Sequence, residues 1–251
     1  MSGHNKWSTI KHKKAAADAK KGKVFSRIAR ELMLAARQGG TDEATNASLR
    51  AAVQKARSVN MPSDNVERAI KKGAGDLDGA TLEELVYEGY ATGGIALVVE
   101  CLSDNKNRTA AEVKHIFSRH GGNLSAQGSV SRLFQRKGQL AVPTDQASED
   151  KLMEIILEAG ADDMVREGDS FQIVTEHAAF MDVVDALNKA GISMTLSEVN
   201  LVADLVVPVE DKSKAASLMR FVEALEDLDD VQNVYTNADI GEDILNALEE
   251  E

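Results

Sequence analysis

The apolar residues of this chain first change their period near residue 73, and that change limits the folds open to it. Before it, they recur at intervals of three and four. Phe25, Ile28, Ala29, Leu32, Ala35 and Ala36 form one stripe, with Arg27, Arg30 and Arg37 off it and Gly39-Gly40 at its end. Leu49, Ala52, Val53, Ala56 and Val59 form a second stripe behind a capping Asn46. Asp64, with Glu67 three residues on, opens a third through Val66 and Ile70 that stops near Gly73. Such spacing collects apolar side chains on one helical face, so residues 1–80 are expected to hold a basic arm and a three-helix domain.

Beyond residue 80 the period is two, or the apolar runs are short. Residues 85–90 and 95–102 flank the turn Ala91-Thr92-Gly93-Gly94 and read as a β-hairpin. A helix carrying Ala110, Val113, Ile116 and Phe117 follows, ended by Gly121-Gly122, and then a strand over 129–135. From Gly138 the order is strand 139–142, helix 149–159, strand 163–166, strand 171–175, helix 178–189 and strand 193–199. That is βαββαβ, the ferredoxin-like order. A strand over 204–207, a helix over 211–225 and a strand over 231–235 remain. The hairpin, helix and strand before Gly138 lack a second helix and a closing strand, and this last stretch supplies both. The expected class is therefore α+β. It has the N-terminal domain (1–80), a discontinuous α/β domain (81–137 with 205–240), a ferredoxin-like domain inserted into it (138–204) and an acidic tail (241–251).

Charge is polarised along the chain. Residues 1–37 hold ten Lys or Arg against Asp18 and Glu31, residues 38–137 are nearly neutral, and residues 138–251 hold six basic and twenty-seven acidic side chains. The net charge of −12 is thus a basic head on an acidic body. This is the pattern of a chain that meets a polyanion at one end. The longest apolar run, Ile95-Ala96-Leu97-Val98-Val99, ends at Glu100, far short of the roughly 20 residues a membrane span needs. Cys101 is the one cysteine, so no internal disulfide forms, and a reducing cytoplasm with no membrane is expected.

Several ordered motifs stand out. They are Gly3-His4-Asn5-Lys6-Trp7, Ile10-Lys11-His12-Lys13-Lys14, Asn60-Met61-Pro62 with Arg68-Ala69-Ile70, Tyr87-Glu88-Gly89-Tyr90, the run from Ser103-Asp104 through Asn105-Lys106-Asn107-Arg108-Thr109, and Gly121-Gly122 with Gly128-Ser129-Val130. Together these resemble the YebC family, over roughly residues 3–235. The resemblance implies a helical N-terminal domain and two α/β domains, one discontinuous. It also implies a regulator of gene expression, traditionally a DNA-binding transcriptional regulator, with other members acting as translation factors on the ribosome at proline-rich stretches. Asn5 stands where the family commonly has Ser, and Ala91-Thr92 where it has Gly-Pro. The family's mitochondrial members carry a transit peptide before the Gly-His motif, which here follows Met1-Ser2, so a bacterial-type cytoplasmic protein is expected.

Two groups of residues are candidates for binding nucleic acid. In the arm and the helix after it are Lys6, Trp7, Lys11, His12, Lys13, Lys14, Lys20, Lys21, Lys23, Arg27 and Arg30. Clustered cations neutralise phosphates and release counterions, and Trp7 can stack on an unpaired base. The plainer reading is a solubilising basic tail with Trp7 docked on the helices. In the loop, Asn105, Lys106, Asn107, Arg108 and Thr109 precede a helix, where backbone N–H groups and the dipole favour an anion. An ordinary capped turn accounts for the same residues. Only Arg68, Lys71 and Lys72 are basic in the third helix, so a major-groove reader is not evident and RNA is favoured over sequence-specific duplex DNA. The acidic half reads as solvated surface, or as a dock for basic protein such as a ribosomal protein.

Catalytic and cofactor patterns are missing. Glu112 and His115 form half of a di-iron helix pair without a second half, His115 and His120 are five apart, and His4 and His12 eight apart. No GxGxxG, phosphate-loop lysine or GxSxG occurs. No enzyme activity, metal or cofactor is expected. A protein-interaction module with a basic arm is the reading from a different class.

Overall fold

The computed structural model describes residues 21–75 and 82–249. The candidate residues Lys6, Trp7, Lys11, His12, Lys13, Lys14 and Lys20 lie outside these. The fold is α+β, with three helices followed by strand-rich layers. The first helices are α1 (Lys21–Gly39), α2 (Ala47–Ser58) and α3 (Ser63–Ala74). Ile28, Leu32, Ala35 and Ala36 of α1 are buried against Leu49, Ala52, Val53 and Ala56 of α2 and Ala69 of α3, as the spacing predicts. Asn46 sets the corner between α1 and α2. Its Oδ1 accepts from the Leu49 amide at 3.0 Å, while Nδ2 donates to the carbonyls of Ala35 and Gly40, each at 2.8 Å. One buried side chain therefore caps one helix end and satisfies orphan carbonyls of another.

The third helix differs from expectation at its start and ends one residue beyond Gly73, near the expected stop. Asp64 does not cap it; Pro62 occupies that position, with no side-chain cap, and Asp64 lies in the first turn. Gly73 does not stop it, because the helix continues to Ala74 and ends at the left-handed Gly75. Gly73 has another role. A Cβ there would lie 2.2 Å from the Met33 carbonyl oxygen, so the missing side chain lets α3 approach the α1 backbone.

The next layer is built on the hairpin of β1 (Glu83–Tyr90) and β2 (Ala96–Ser103), which pair from Glu83 with Ser103 to Tyr90 with Ala96. Gly93 and Gly94, both at positive φ, turn the chain without the Gly-Pro of the family pattern. Helix α4 (Lys106–Arg119) and the short β3 (Asn123–Leu124) follow. After the inserted segment come β8 (Val207–Val209), α7 (Lys212–Glu226), β9 (Val231–Thr236), β10 (Ala238–Ile240) and α8 (Glu242–Glu249). The sheet order is β3-β1-β2-β9, so the late strand β9 closes the sheet on β2. Val113 and Phe117 of α4 and Leu218, Phe221, Val222 and Leu225 of α7 bury against it, with Phe117 and Phe221 edge to face at 5.0 Å. Each fully buried phenylalanine contributes about 1.5–3 kcal/mol. The strand expected at 204–207 is displaced to β8, which pairs in parallel with β10 outside this sheet. The expected acidic tail is largely helical: Leu245 of α8 is buried in the same core, with Ile244 and Leu248 packed on it.

The inserted segment contains β4 (Phe134–Pro143), α5 (Glu149–Glu158), β5 (Ala161–Glu167), β6 (Ser170–Glu176), α6 (Phe180–Lys189) and β7 (Leu196–Ala203). Its sheet order β5-β6-β4-β7, with every pair antiparallel, is the ferredoxin-like arrangement. The separate strands expected at 129–135 and 139–142 are instead one strand, β4, after a single 3₁₀ turn at Ser131–Leu133. Lys137 and Gly138 look like a break in sequence, yet Gly138 packs face-on to Phe180 and Thr175, where a Cβ would meet both within 2.5 Å. The chain accordingly divides into one unit from its start to Val130 with Val206 onward, and a second over Ser131–Leu205. No helix among the described residues is long and apolar enough to cross a membrane.

Gly73→Ala forces α1 and α3 apart at a backbone contact, which cannot yield as a flexible side chain can. Overpacking of this kind costs about 1–3 kcal/mol. Urea unfolding should show the midpoint falling with the m-value unchanged; an unaltered midpoint would show that the two helices separate without penalty.

Candidate nucleic-acid interface

The described candidate residues fall on two elements. Lys21, Lys23, Arg27 and Arg30 lie on α1, and Asn105, Lys106, Asn107, Arg108 and Thr109 form the cap and first turn of α4. The structure brings Lys23, Arg27 and Arg30 of the first group and Arg108 and Thr109 of the second to one acidic turn, residues 227–230, between α7 and β9. Lys23 Nζ lies 2.8 Å from Asp227 Oδ1 and 3.3 Å from the Asp227 carbonyl oxygen. The Arg27 guanidinium donates to the Glu226 carbonyl and that of Arg30 to the Asp229 carbonyl. These are carbonyls at and just beyond the end of α7, where helix geometry leaves acceptors unsatisfied and the dipole favours cations. A cavity of about 210 Å³ remains between the two, lined by Gly22, Lys23, Ser26, Arg27, Arg30, Leu228 and Asp229.

Asp230 is where the groups meet. It is 1% exposed, so its carboxylate must be compensated inside the protein. Arg108 Nη2 donates to it at 2.7 and 3.0 Å, and Arg30 Nη2 stands 3.4 Å from Oδ1. The hydroxyls of Ser103 and Thr109 lie 3.0 and 2.8 Å from Oδ2 and 2.7 Å from each other. Arg108 also bonds Asp104 at 2.9 Å, and these two carboxylates raise its already high pKa. Burial pushes the pKa of Asp230 up, but the hydrogen bonds from Arg108, Thr109 and Ser103 and the charge of Arg108 outweigh burial and hold it below the usual carboxylate range.

The loop therefore reads differently from an open anion cradle. Asn105 Oδ1 accepts from the Arg108 amide at 3.1 Å and caps α4, Thr109 is buried, and Arg108 is engaged by two carboxylates. Lys106 and Asn107 are the candidates of this loop whose side chains face solvent without such anchoring. The expectation that the acidic half is solvated surface holds at Asp227 and Asp229, which are exposed, and fails at Asp230, which is buried. No local pattern reveals this, because Ser103, Arg108 and Thr109 are 121 to 127 residues away from Asp230 in sequence, and Arg30 is farther still.

Other motif residues have structural work. Glu88, 3% exposed, accepts from the amides of Gly128 at 2.7 Å and Val130 at 2.6 Å, which ties the Tyr87-Glu88-Gly89-Tyr90 motif to Gly128-Ser129-Val130. Burial, with Asp230 and Glu100 nearby, pushes the Cys101 thiol up to about 12, so it stays protonated in the core. Among the described residues no three His, Cys, Asp or Glu side chains gather as a metal-binding set.

Comparison with known proteins places this geometry in a family. The TACO1/YebC protein N-terminal domain matches residues 5–76, and the TACO1/YebC second and third domain matches residues 82–238. A probable transcriptional regulatory protein of Desulforapulum autotrophicum is 50% identical over 248 residues, covering 99% of this chain and all of that protein. Another of that name, from Geobacter sulfurreducens, is 50% identical over 240 residues and covers 96% of both. The crystal structure of a conserved hypothetical protein from Aquifex aeolicus superposes with a TM-score of 0.86 at 44% identity, over 96% of this chain and 99% of that one.

Because the folded pKa of Asp230 lies below its unfolded value of about 3.9, its contribution to stability is present at neutral pH. It is lost as pH falls through the folded value. Asp230→Asn should cost about 1–3 kcal/mol at pH 7 and make the fall in stability from pH 5 to pH 2 shallower. Urea titrations across that range check both; equal acid slopes for the two chains would show that the carboxylate is not an ionised anchor.

Proposed function

Since the chain belongs to the TACO1/YebC family, we propose that it is a non-enzymatic regulator of gene expression that binds nucleic acid through its basic N-terminal region. The observation that carries this reading is local charge. Residues 21–75 alone hold eleven Lys or Arg against five Asp or Glu, in a chain of net charge −12. Cations concentrated in this way release counterions from a phosphate backbone, whereas the acidic remainder repels it and confines contact to one end. Lys6, Trp7, Lys11, His12, Lys13, Lys14, Lys20 and Lys21 are the proposed leading contacts, with Lys23, Arg27 and Arg30 of α1 behind them and Lys106 and Asn107 beside the second helix cap. The relatives' shared name, probable transcriptional regulatory protein, supports DNA as the partner and transcription as the process regulated.

A second reading, a translation factor on ribosomal RNA, is favoured by α3. A helix that reads the major groove presents its N-terminal residues to base edges. Here the first half of α3 exposes Asp64 and Glu67, and its basic residues Arg68, Lys71 and Lys72 follow later, with Lys71 beside Glu67 at 3.8 Å. Carboxylates at the entering end oppose a duplex. Single-stranded or folded RNA, recognised by stacking and phosphate contacts, needs no such helix.

Ultraviolet crosslinking in living cells, followed by sequencing of the recovered nucleic acid, tests the proposal and separates its two forms. Promoter DNA supports transcriptional regulation, ribosomal RNA supports translation, and recovery of neither overturns the nucleic-acid reading. Lys13→Glu with Lys14→Glu should abolish recovery while leaving the melting temperature nearly unchanged, since Trp7 and Ile10 are the only large apolar residues from 5 to 23. In vitro, affinity should fall about 10³–10⁵-fold between 50 and 200 mM salt if 6–10 phosphates are engaged; a shallow dependence would favour the protein-interaction module instead.

A further inference from the structure

The contact between α1 and the turn 227–230 has the chemistry of an occupied anion site. Lys23, Arg27 and Arg30 are spaced four and three apart and so share one face of α1. That face meets the Asp227 carboxylate and the carbonyl oxygens of Glu226, Asp227 and Asp229, around the cavity of about 210 Å³. The arrangement is what a phosphate group would present to the same side chains: oxygen acceptors grouped at one point, bound by two forks and an ammonium.

The occupant is held unevenly. Lys23 and Asp227 are 47% and 65% exposed at their side chains, and an ion pair so open to solvent contributes roughly 0–1 kcal/mol. Arg27 and Arg30 donate to main-chain carbonyls, which carry no net charge, and Arg30 also stands 3.4 Å from the buried Asp230 carboxylate. Charge-assisted bonds to an ionised phosphate are about twice as strong as bonds between neutral groups, and a guanidinium fits phosphate bidentately. Both guanidiniums are therefore positioned, and that of Arg27 is incompletely neutralised. Asp230, in the same turn, differs: its buried carboxylate is anchored by Arg108, Ser103 and Thr109, which fixes the end of the turn while Asp227 stays exposed.

We infer that this cavity is a phosphate site of the nucleic-acid interface, with Asp227 as its internal competitor. A phosphodiester group enters beside Ser26, takes Lys23, Arg27 and Arg30, and releases Asp227 to solvent. The inference rests on the nucleic-acid reading above and adds how that site is regulated. Weak or isolated anions leave the turn in place, whereas a strand already held by the arm presents phosphate at high local concentration and displaces it.

The test uses the full chain and two fluorescent probes, a single-stranded 20-mer of uridylate and a 20-base-pair DNA duplex, with affinity measured across a salt series. On each probe that the unaltered chain binds, Asp227→Asn should tighten binding up to about fivefold at low salt, the fold-change equivalent of a surface pair's strength. Asp185→Asn, the same charge change at an exposed position on α6, should leave affinity within about twofold. Arg27→Gln with Arg30→Gln should weaken binding and lower the salt slope by about two. Steep salt-dependent binding that Asp227→Asn leaves unchanged or weakens overturns this inference alone, and so does an equal gain from Asp185→Asn. Absence of salt-sensitive binding by the unaltered chain overturns this inference together with the reading it rests on. Because Asp227 is exposed, its substitution keeps the test decisive even if the double arginine variant fails to fold.

Discussion

A carboxylate with 1% exposure organises one end of the first unit. Removing an ion from water costs several kcal/mol even after relaxation, and this cost is offset only where every lone pair finds a donor. Asp230 meets that condition through four side chains from three elements: Ser103 at the end of β2, Arg108 and Thr109 in the first turn of α4, and Arg30 on α1. Its main chain joins in, accepting from the Leu102 amide at 2.8 Å just before β9 begins. The hairpin, the helix that follows it, the returning C-terminal strand and the N-terminal helix are thus fixed to one point. A segment that arrives after a 75-residue insertion, Ser131–Leu205, completes a sheet begun before it.

This constraint assigns different tasks to cations that look alike in sequence. Arg108 spends its charge on Asp230 and Asp104, and Thr109 its hydroxyl on the same buried cluster. Their motif is accounted for by folding before any ligand is considered. Lys23 and Arg27 instead meet an exposed carboxylate and neutral carbonyls, partners that a stronger anion outcompetes, while Arg30 stands between the two, bonded to the Asp229 carbonyl and 3.4 Å from the Asp230 carboxylate. The same turn therefore holds a structural pair at its buried end and an exchangeable one at its exposed end, and dielectric environment alone separates the two.

What the sequence made legible follows from the range of the interactions involved. The helices α1 and α2, the hairpin and the βαββαβ order rest on periodicity and on caps such as Asn46, all read within a few residues. Errors arose where a distant contact decides. Gly73 reads locally as a stop and is instead a close approach to Met33, forty residues earlier. Lys137-Gly138 reads as a domain boundary and is the middle of β4, where Gly138 packs against Phe180. The acidic composition of residues 242–249 masked the apolar pair Ile244 and Leu248 that packs α8 on the core beside Leu245. For the site, clustered lysines and arginines were visible as charge, but which of them bind inward depended on Asp230, more than a hundred residues away from both Arg108 and Arg30.

A net charge of −12 and a nucleic-acid partner are compatible once distance is considered. At physiological ionic strength the Debye length is about 8 Å, so a phosphate approaching the N-terminal region responds to the charges beside it and little to the total. Eleven basic side chains against five acidic in residues 21–75 set that local field. The acidic remainder then acts by exclusion, lowering the affinity of every other surface for the same polyanion. Among the described residues of the first unit, the acidic portion enters the basic field at the turn 227–230, and there it supplies the carboxylate against which an incoming phosphate is compared. Such a competitor lowers affinity for any single anion while sparing a strand that engages many cations together, so it sharpens discrimination between a polyanion and the small phosphates of the solvent.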